Sequence, residues 1–243
     1  MKKFTYIILI LIIFTNCNNN TLKIFNGSNL NGWLNYGGGK FYVENNCIVA
    51  EAITGLPNTF LHTEKKYQNF ELQFDVKLDT VLNSGVQIRS NIYQNDTETV
   101  RWGGRFDQEG QKDLKNIIRK AGTFWGYQIE IDPTSRAWSG AIYEEAGRGF
   151  LHTPGINQKV KSAFKPLEWN HYKIRVKDNH IQSWVNGVII GDVYDDLTDD
   201  GYIALQLHSI GKNKIRASYY KIRFDHDRII KFFKFTIKII STV

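Results

Sequence analysis

The chain predicts an all-β fold in a single domain, and three observations carry that reading. Short segments alternate apolar and polar side chains, as in the stretch FELQFDVKL from Phe70 to Leu78, and a period of two is that of a half-buried strand. Aromatic residues make up 14% of the chain, and rings pack well on a pleated surface. Asn-Gly, Asp-Gly, Asn-Asn and Gly-Gly pairs punctuate the segments, which marks turns between strands rather than helix ends. At 243 residues with 42% hydrophobic content, the chain can bury a sizeable core within one all-β domain.

Taken in order, Lys2 and Lys3 precede an apolar run, YIILILIIF. It is too short to span a bilayer and fits the apolar region of an export signal. The following FTNC resembles the lipobox of bacterial lipoproteins, so residues 1–16 are expected to be removed and Cys17 lipidated. Residues 17–21 would then form a tether to the cell envelope. Cys47 is the other cysteine, which leaves no basis for a disulfide framework and suggests a buried filler. The folded domain is expected over 22–225.

Within it, FYVENNCIVA reads as two strands about an Asn-Asn turn. In Phe70–Leu78 the row Phe70, Leu72, Phe74, Val76 and Leu78 points inward, with Glu71, Gln73, Asp75 and Lys77 outward. NSGVQIRS places Val86 and Ile88 in the core and Gln87 with Arg89 on the other side. Residues 101–125 interrupt the rhythm. There Leu114, Ile117, Ile118 and Ala121 recur at helical spacing behind Asp113, which predicts a short helical insertion near 113–121, folded over one rim. PLEWNHYKIRV, NHIQSWVNGVII and GYIALQLHS follow as hairpin-linked strands of a mainly antiparallel sheet, and IRASYYKIRF closes the body.

The densest chemistry lies in Gly126–Leu151, GYQIEIDPTSRAWSGAIYEEAGRGFL. Alternation puts Tyr127, Ile129 and Ile131 on one face and Gln128, Glu130 and Asp132 on the other. Trp138 and Arg148 follow in the same stretch as candidate ligand contacts. The same rule places Trp184 on a polar face with Gln182, and Gln206 with His208. Four strands thus present one apolar face and one carrying Arg89, Gln128, Glu130, Asp132, Trp184, Gln206 and His208. Carboxylates, amides, an arginine and an aromatic platform suit a carbohydrate, because hydroxyls need planar polar partners and the C–H face of a sugar needs a ring.

These segments together resemble the 3-keto-disaccharide hydrolase domain family. NSGVQIRS, the Gly126–Leu151 stretch, EWNHYKIRV, WVNG, GYIALQLHS, YYKIRF and the opening LKIFNGSNLNGW match its successive motifs. The resemblance implies a concanavalin A-like jelly-roll β-sandwich acting on glycosides oxidised at C3 of the sugar. A ketone at C3 acidifies the C2 hydrogen, so a carboxylate can abstract it. An enolate then forms, the C1 oxygen leaves on protonation, and water adds back. Glu130 is the expected base, with Arg89 or His208 holding the enolate oxygen and Asp132 or His208 assisting the leaving group. Gln87, Gln128, Trp184, Gln206, Trp138 and Arg148 are the expected substrate contacts.

Two other readings compete. Glu130-Ile131-Asp132 also matches the opening of the E-I-D-x-x-E run of jelly-roll glucanases, but the third carboxyl position is Ser135. A non-catalytic carbohydrate-binding module would need the platform and amides without a poised base. The formal charge of +7 falls to +3 for the body once Lys2, Lys3 and the net +2 of residues 225–243 are set aside. No basic stripe remains, which argues against a nucleic-acid partner. Asp132, Glu144 and Glu145 lack the spacing of a calcium loop, and neither metal nor cofactor is assigned. The segment 226–243 spaces Arg228, Lys231, Lys234 and Lys238 along one side of a helical wheel, so a basic amphipathic helix at the membrane surface is expected there, with an added strand as the alternative.

Overall fold

The computed structural model describes residues 21–51, 53–78, 82–102, 114–155, 157–210, 221–225 and 236–239; the export segment and Cys17 lie outside them. In chain order the strands are β1 (Thr21–Lys23), β2 (Trp33–Tyr36), β3 (Lys40–Glu44), β4 (Cys47–Glu51), β5 (Thr59–Tyr67) and β6 (Phe70–Leu78). Then come β7 (Ser84–Ile92), β8 (Thr97–Trp102), β9 (Leu114–Arg119), β10 (Phe124–Ile131), β11 (Ile142–Glu145) and β12 (Gly149–His152). After one helical turn, α1 (Gln158–Lys161), follow β13 (Asn170–Lys177), β14 (His180–Val185), β15 (Val188–Tyr194), β16 (Gly201–Leu207), β17 (Lys221–Asp225) and β18 (Thr236–Ile239).

Two open antiparallel sheets form a β-sandwich, as the family resemblance implies. One runs β15-β14-β13-β6-β17-β4-β3, with β18 also on β6 and β1 on β18; the other runs β12-β11-β10-β7-β16-β5-β2. The Asn45-Asn46 turn between β3 and β4 has positive φ at both residues, 51° and 61°, the geometry of a tight hairpin whose twist matches its strands. In β6 the expected inward row is buried and the outward row half-buried. Phe70, Leu72, Phe74 and Val76 pack against Val86, Ile88, Tyr127, Ile129 and Leu205 of the facing sheet in one continuous core. The Gly-Trp of the opening motif serves this core: Trp33 is buried, and its ring N–H donates to the Ile24 carbonyl at 2.7 Å.

The insertion differs from expectation. Leu114–Arg119 is a strand, not a helix, paired in register with Thr97–Trp102 from Thr97↔Arg119 to Trp102↔Leu114. Apolar residues at helical spacing over so short a run do not separate the two states. The β-branched Ile117 and Ile118, facing a partner strand rich in threonine and valine, decide for the hairpin. Its base is tied to the body, since Arg119 Nε donates to the Ala146 carbonyl at 2.9 Å.

The tail is also corrected where it is described. Thr236–Ile239 is a strand that pairs with Phe70–Gln73 of β6 and with β1, rather than part of an amphipathic helix. An alternating Thr-Ile-Lys-Ile run supplies the strand period, and the open N-terminal half of the β6 edge supplies unpaired backbone groups to satisfy. Residues 226–235 lie outside the described part.

Candidate active site

The outer face of the seven-stranded sheet is polar and yet buried. In β7, Ser84–Ser90 are buried without a break, and in β10 every residue from Gly126 to Ile131 is buried. Apolar side chains on one face enter the core, and the other face is closed over by its own polar side chains. Register explains how. Gln128 lies opposite Gln87 on β7 and Tyr143 on β11, while Glu130 and Gln206 both lie opposite Gly85. A Cβ at position 85 would stand 2.5 Å from the Gln128 side-chain carbon. The glycine of NSGV is therefore the gap into which Gln128 lies.

A cavity of about 370 Å³ opens above this face. Glu130, 4% exposed, accepts from Asn83 Nδ2 at 2.7 Å, from Gln128 Nε2 at 2.8 Å and from Arg136 Nη2 at 3.3 Å. Gln128 is held in turn by Gln87 Nε2 at 2.6 Å, and Gln87 by the Ser90 hydroxyl at 2.9 Å. A chain of fixed amides thus aims Glu130 at the cavity. Burial pushes its carboxyl above the usual range, against the opposing pull of the Asn83 and Gln128 hydrogen bonds and the Arg136 charge.

Asp132 and Glu145 share the cavity with Glu130. Glu145 accepts from Gln206 Nε2 at 3.2 Å, and its pKa is pushed up to about 7, first by burial and then by the neighbouring Glu130 charge. The Gln206 side-chain oxygen is buried without a hydrogen-bond partner. Such an acceptor is costly to leave empty, and in a cavity wall it suits a hydroxyl donor. His208 lines the same cavity. Its Nδ1 is 2.9 Å from the Ser209 carbonyl, which can only accept, so Nδ1 carries the proton and Nε2 is left for another partner. Asp132 holds the turn beyond β10 by accepting from the Thr134 N–H and hydroxyl and from Arg136 Nε at 2.7 Å. Arg136 also lies 4.3 Å above the Trp138 ring, which packs edge-on against Phe150 at the cavity wall.

The structure therefore brings together Glu130, Gln128, Asp132, Gln206 and His208, with Gln87 directly behind and Trp138 supporting Arg136. Three other expected contacts lie elsewhere. Arg89 sits at a β-bulge, where β7 skips against β16 between Tyr202 and Ala204, with φ 46°. The bulge turns its side chain away from the polar face. Its guanidinium donates to the carbonyls of Gln68 and Asp178 and to the Asn69 side chain, so it clamps loops at one end of the sandwich. Trp184 obeys the predicted alternation but belongs to the other sheet, where it pairs with Lys173, whose ammonium lies 4.1 Å from the ring centre. Arg148 binds Glu144 and, at 2.8 Å, Asp195. Because Glu144 lies opposite Tyr127, this pair faces the sandwich interior, and the Tyr127 hydroxyl joins it through Asp195 at 2.6 Å.

Asn83, Arg136, Tyr143 and Glu145 were not singled out as site residues from the sequence. Once β11 is paired with β10, Glu145 falls on the same face as Gln128 and Glu130, while its neighbour Glu144 falls on the opposite one. Among the described residues no cluster of His, Cys, Asp and Glu has metal-holding geometry.

Fold and site together define a two-sheet β-sandwich whose polar sheet face holds buried Glu130 and half-buried Glu145 among amides. The chain belongs to the family described as the 3-keto-alpha-glucoside-1,2-lyase-like domain, the 3-keto-disaccharide hydrolase domain family, whose profile matches residues 21–229. Its function is accordingly carbohydrate-related. No curated protein matches the chain. Among solved structures it is similar to a candidate glycosyl hydrolase from Parabacteroides distasonis ATCC 8503, at 17% identity and a TM-score of 0.52, covering 91% of this chain and 94% of that one. It is also similar to a Bacillus subtilis protein of unknown function with a galectin-like fold, at 12% identity and a TM-score of 0.52, covering 86% and 90%. At these identities the likeness is one of fold.

Proposed function

We propose that the protein cleaves the glycosidic bond of 3-keto-glycosides by elimination and hydration, with Glu130 as base and Glu145 as acid. The observation that carries this reading is that Glu130 and Glu145 line one cavity; burial raises both carboxyls, and the Glu130 charge adds to the rise at Glu145. Glu130 takes the C2 proton, and its electron pair moves into the enolate of the C3 ketone. Collapse of the enolate expels the C1 oxygen, which receives its proton from Glu145. Water then adds at C1 and a proton returns to C2, so that the sum is hydrolysis. A carboxyl with a pKa near 7 suits an acid that must also be reloaded at neutral pH. Arg136, the cation lining the cavity, takes the place first expected of Arg89 beside the enolate oxygen, together with His208. The vacant Gln206 oxygen receives a sugar hydroxyl.

A second reading is favoured by the same pair. Two carboxyls in one sugar-sized cavity are also the apparatus of a conventional glycosidase, and Glu145 supplies the second carboxyl that Ser135 does not. Incubation with a 3-keto-glucoside and with its unoxidised parent separates the readings. Turnover of the keto compound alone is the expected result. Turnover of the parent would favour the glycosidase, and saturable binding without turnover of either would favour a carbohydrate-binding module.

From the apolar leader and the FTNC sequence we also propose that the protein is exported and held at the cell envelope by acylated Cys17. Fatty-acid labelling should mark the wild type and not Cys17→Ala, and equal label on both would remove the anchor.

A further inference from the structure

A second cavity, about 440 Å³, adjoins the first and shares two of its wall residues, Asn58 and Glu145. Its character is different. Phe60 and Phe124 form its base, stacked with ring centres 4.5 Å apart and 15° between planes. Tyr36 stands 6.1 Å from Phe124, and Pro57 lines the cavity with the Gly122 and Thr123 turn. The Tyr36 hydroxyl already donates to the Gly122 carbonyl, which turns its ring, rather than a free polar group, to the space. These aromatic residues form a cluster separate from the main core, on the same sheet face as the carboxyls. Phe60 and Phe124 are 4% and 3% exposed, so the protein already covers most of this cluster, and the half-buried Tyr36 is its more open ring.

We infer that this cavity is the leaving-group subsite and that it takes a planar apolar aglycone rather than a second sugar. The inference rests on the keto-glycoside reading above, in which Glu145 protonates the departing oxygen. Glu145 stands at the boundary of the two cavities, so the bond being broken lies between them, with the keto sugar over Glu130 and the aglycone over Phe60 and Phe124. The two halves differ in what they can satisfy. The sugar half presents Gln128, Gln206, Arg136 and His208 to hydroxyls. The other half has Asn58, Thr123 and Glu145 as its polar side chains, so the several hydroxyls of a second sugar would lose water without replacement partners. A flat ring loses none and gains contact with the aromatic base.

Ala121 is the residue for the test, because it is exposed at the rim of this cavity and does not line the sugar half. Ala121→Trp fills the space, and Tyr36→Ala removes part of its wall. The probes are the 3-keto-glucosides of 2-naphthol and of methanol, assayed for kcat/KM. The naphthyl and methyl parents, unoxidised, are titrated by calorimetry. Leaving-group reactivity cancels when each variant is compared with wild type on one substrate. The expected result is a loss of at least about tenfold on the naphthyl substrate for each variant, with the methyl substrate unchanged. The naphthyl parent should bind wild type at least about tenfold more tightly than the methyl parent, and Ala121→Trp should erase that difference. Equal effects on naphthyl and methyl probes would overturn the subsite while leaving the keto-sugar chemistry standing. If wild type turns over neither keto-glucoside, that chemistry fails, and the calorimetry alone decides whether the apolar subsite exists.

Discussion

The outer faces of the two sheets look alike in sequence and differ in the folded protein. On β6 the outward row of Glu71, Gln73, Asp75 and Lys77 is half-buried, and Glu71, Gln73 and Asp75 face Arg175, Lys173 and His171 across the strand pair, with His171 Nδ1 2.9 Å from Asp75 Oδ1. On β10 the outward Gln128 and Glu130 are buried, held by donors on three neighbouring segments. Partly exposed pairs of the first kind contribute little, typically about 0–1 kcal/mol. A polar network of the second kind is costly to bury unless it is fully satisfied, and here the unsatisfied atom is the Gln206 oxygen in the cavity wall. Alternation therefore finds polar faces, and burial separates the face that solvates the fold from the face that does chemistry.

Substitutions can break this comparison. The largest effect is expected from Glu130→Gln, which keeps shape but removes basicity. Turnover of a 3-keto-glucoside should fall by about 10²–10⁴, with substrate binding retained in calorimetry. Next comes Gly85→Ala. Its new methyl meets the Gln128 side chain, so thermal melting should show a loss of about 1–3 kcal/mol, and activity should fall as Gln128 releases Glu130. Glu145→Gln should move stability and activity in opposite directions. With the carboxyl raised to about 7 from its ordinary 4.5, folding favours the protonated form. The stabilisation is full below about pH 4.5 and is lost as pH rises through 7. At pH 8 the variant, which cannot ionise, should therefore melt higher than wild type, by an amount on the order of 3 kcal/mol at most, while elimination slows. Trp184→Ala, on the other sheet, should be the smallest change. It loses the Lys173 contact, about 0.5–1 kcal/mol, with sugar affinity unaltered; a clear loss of affinity would return Trp184 to the ligand face.

The strand pattern was legible because side-chain parity is local. β6 and β14 bury the rows expected of them, and Gln128, Glu130, Gln206 and His208 share a cavity as their parity implies. Parity does not say which sheet a strand joins, which is why Trp184 was grouped with Glu130. Nor does it survive a bulge, which is why Arg89 was. Glu145 was hidden beside Glu144, because two adjacent glutamates are indistinguishable until the register against β10 assigns one to each face. Leu114–Arg119 and Thr236–Ile239 are short runs in which helical and strand spacing compete, and in both the pairing strand decided.

Proton abstraction from C2 is the step on which the assignment of Glu130 depends, and isotope exchange reads it directly. A 3-keto-glucoside is incubated in D₂O with wild type and with Glu130→Gln, and early product is examined by NMR against an enzyme-free control. The assignment of Glu130 predicts deuterium at C2 of the product from wild type, formed about 10²–10⁴ times faster than from the variant. Cleavage by wild type that leaves hydrogen at C2, or undiminished exchange in a folded Glu130→Gln protein, would contradict it.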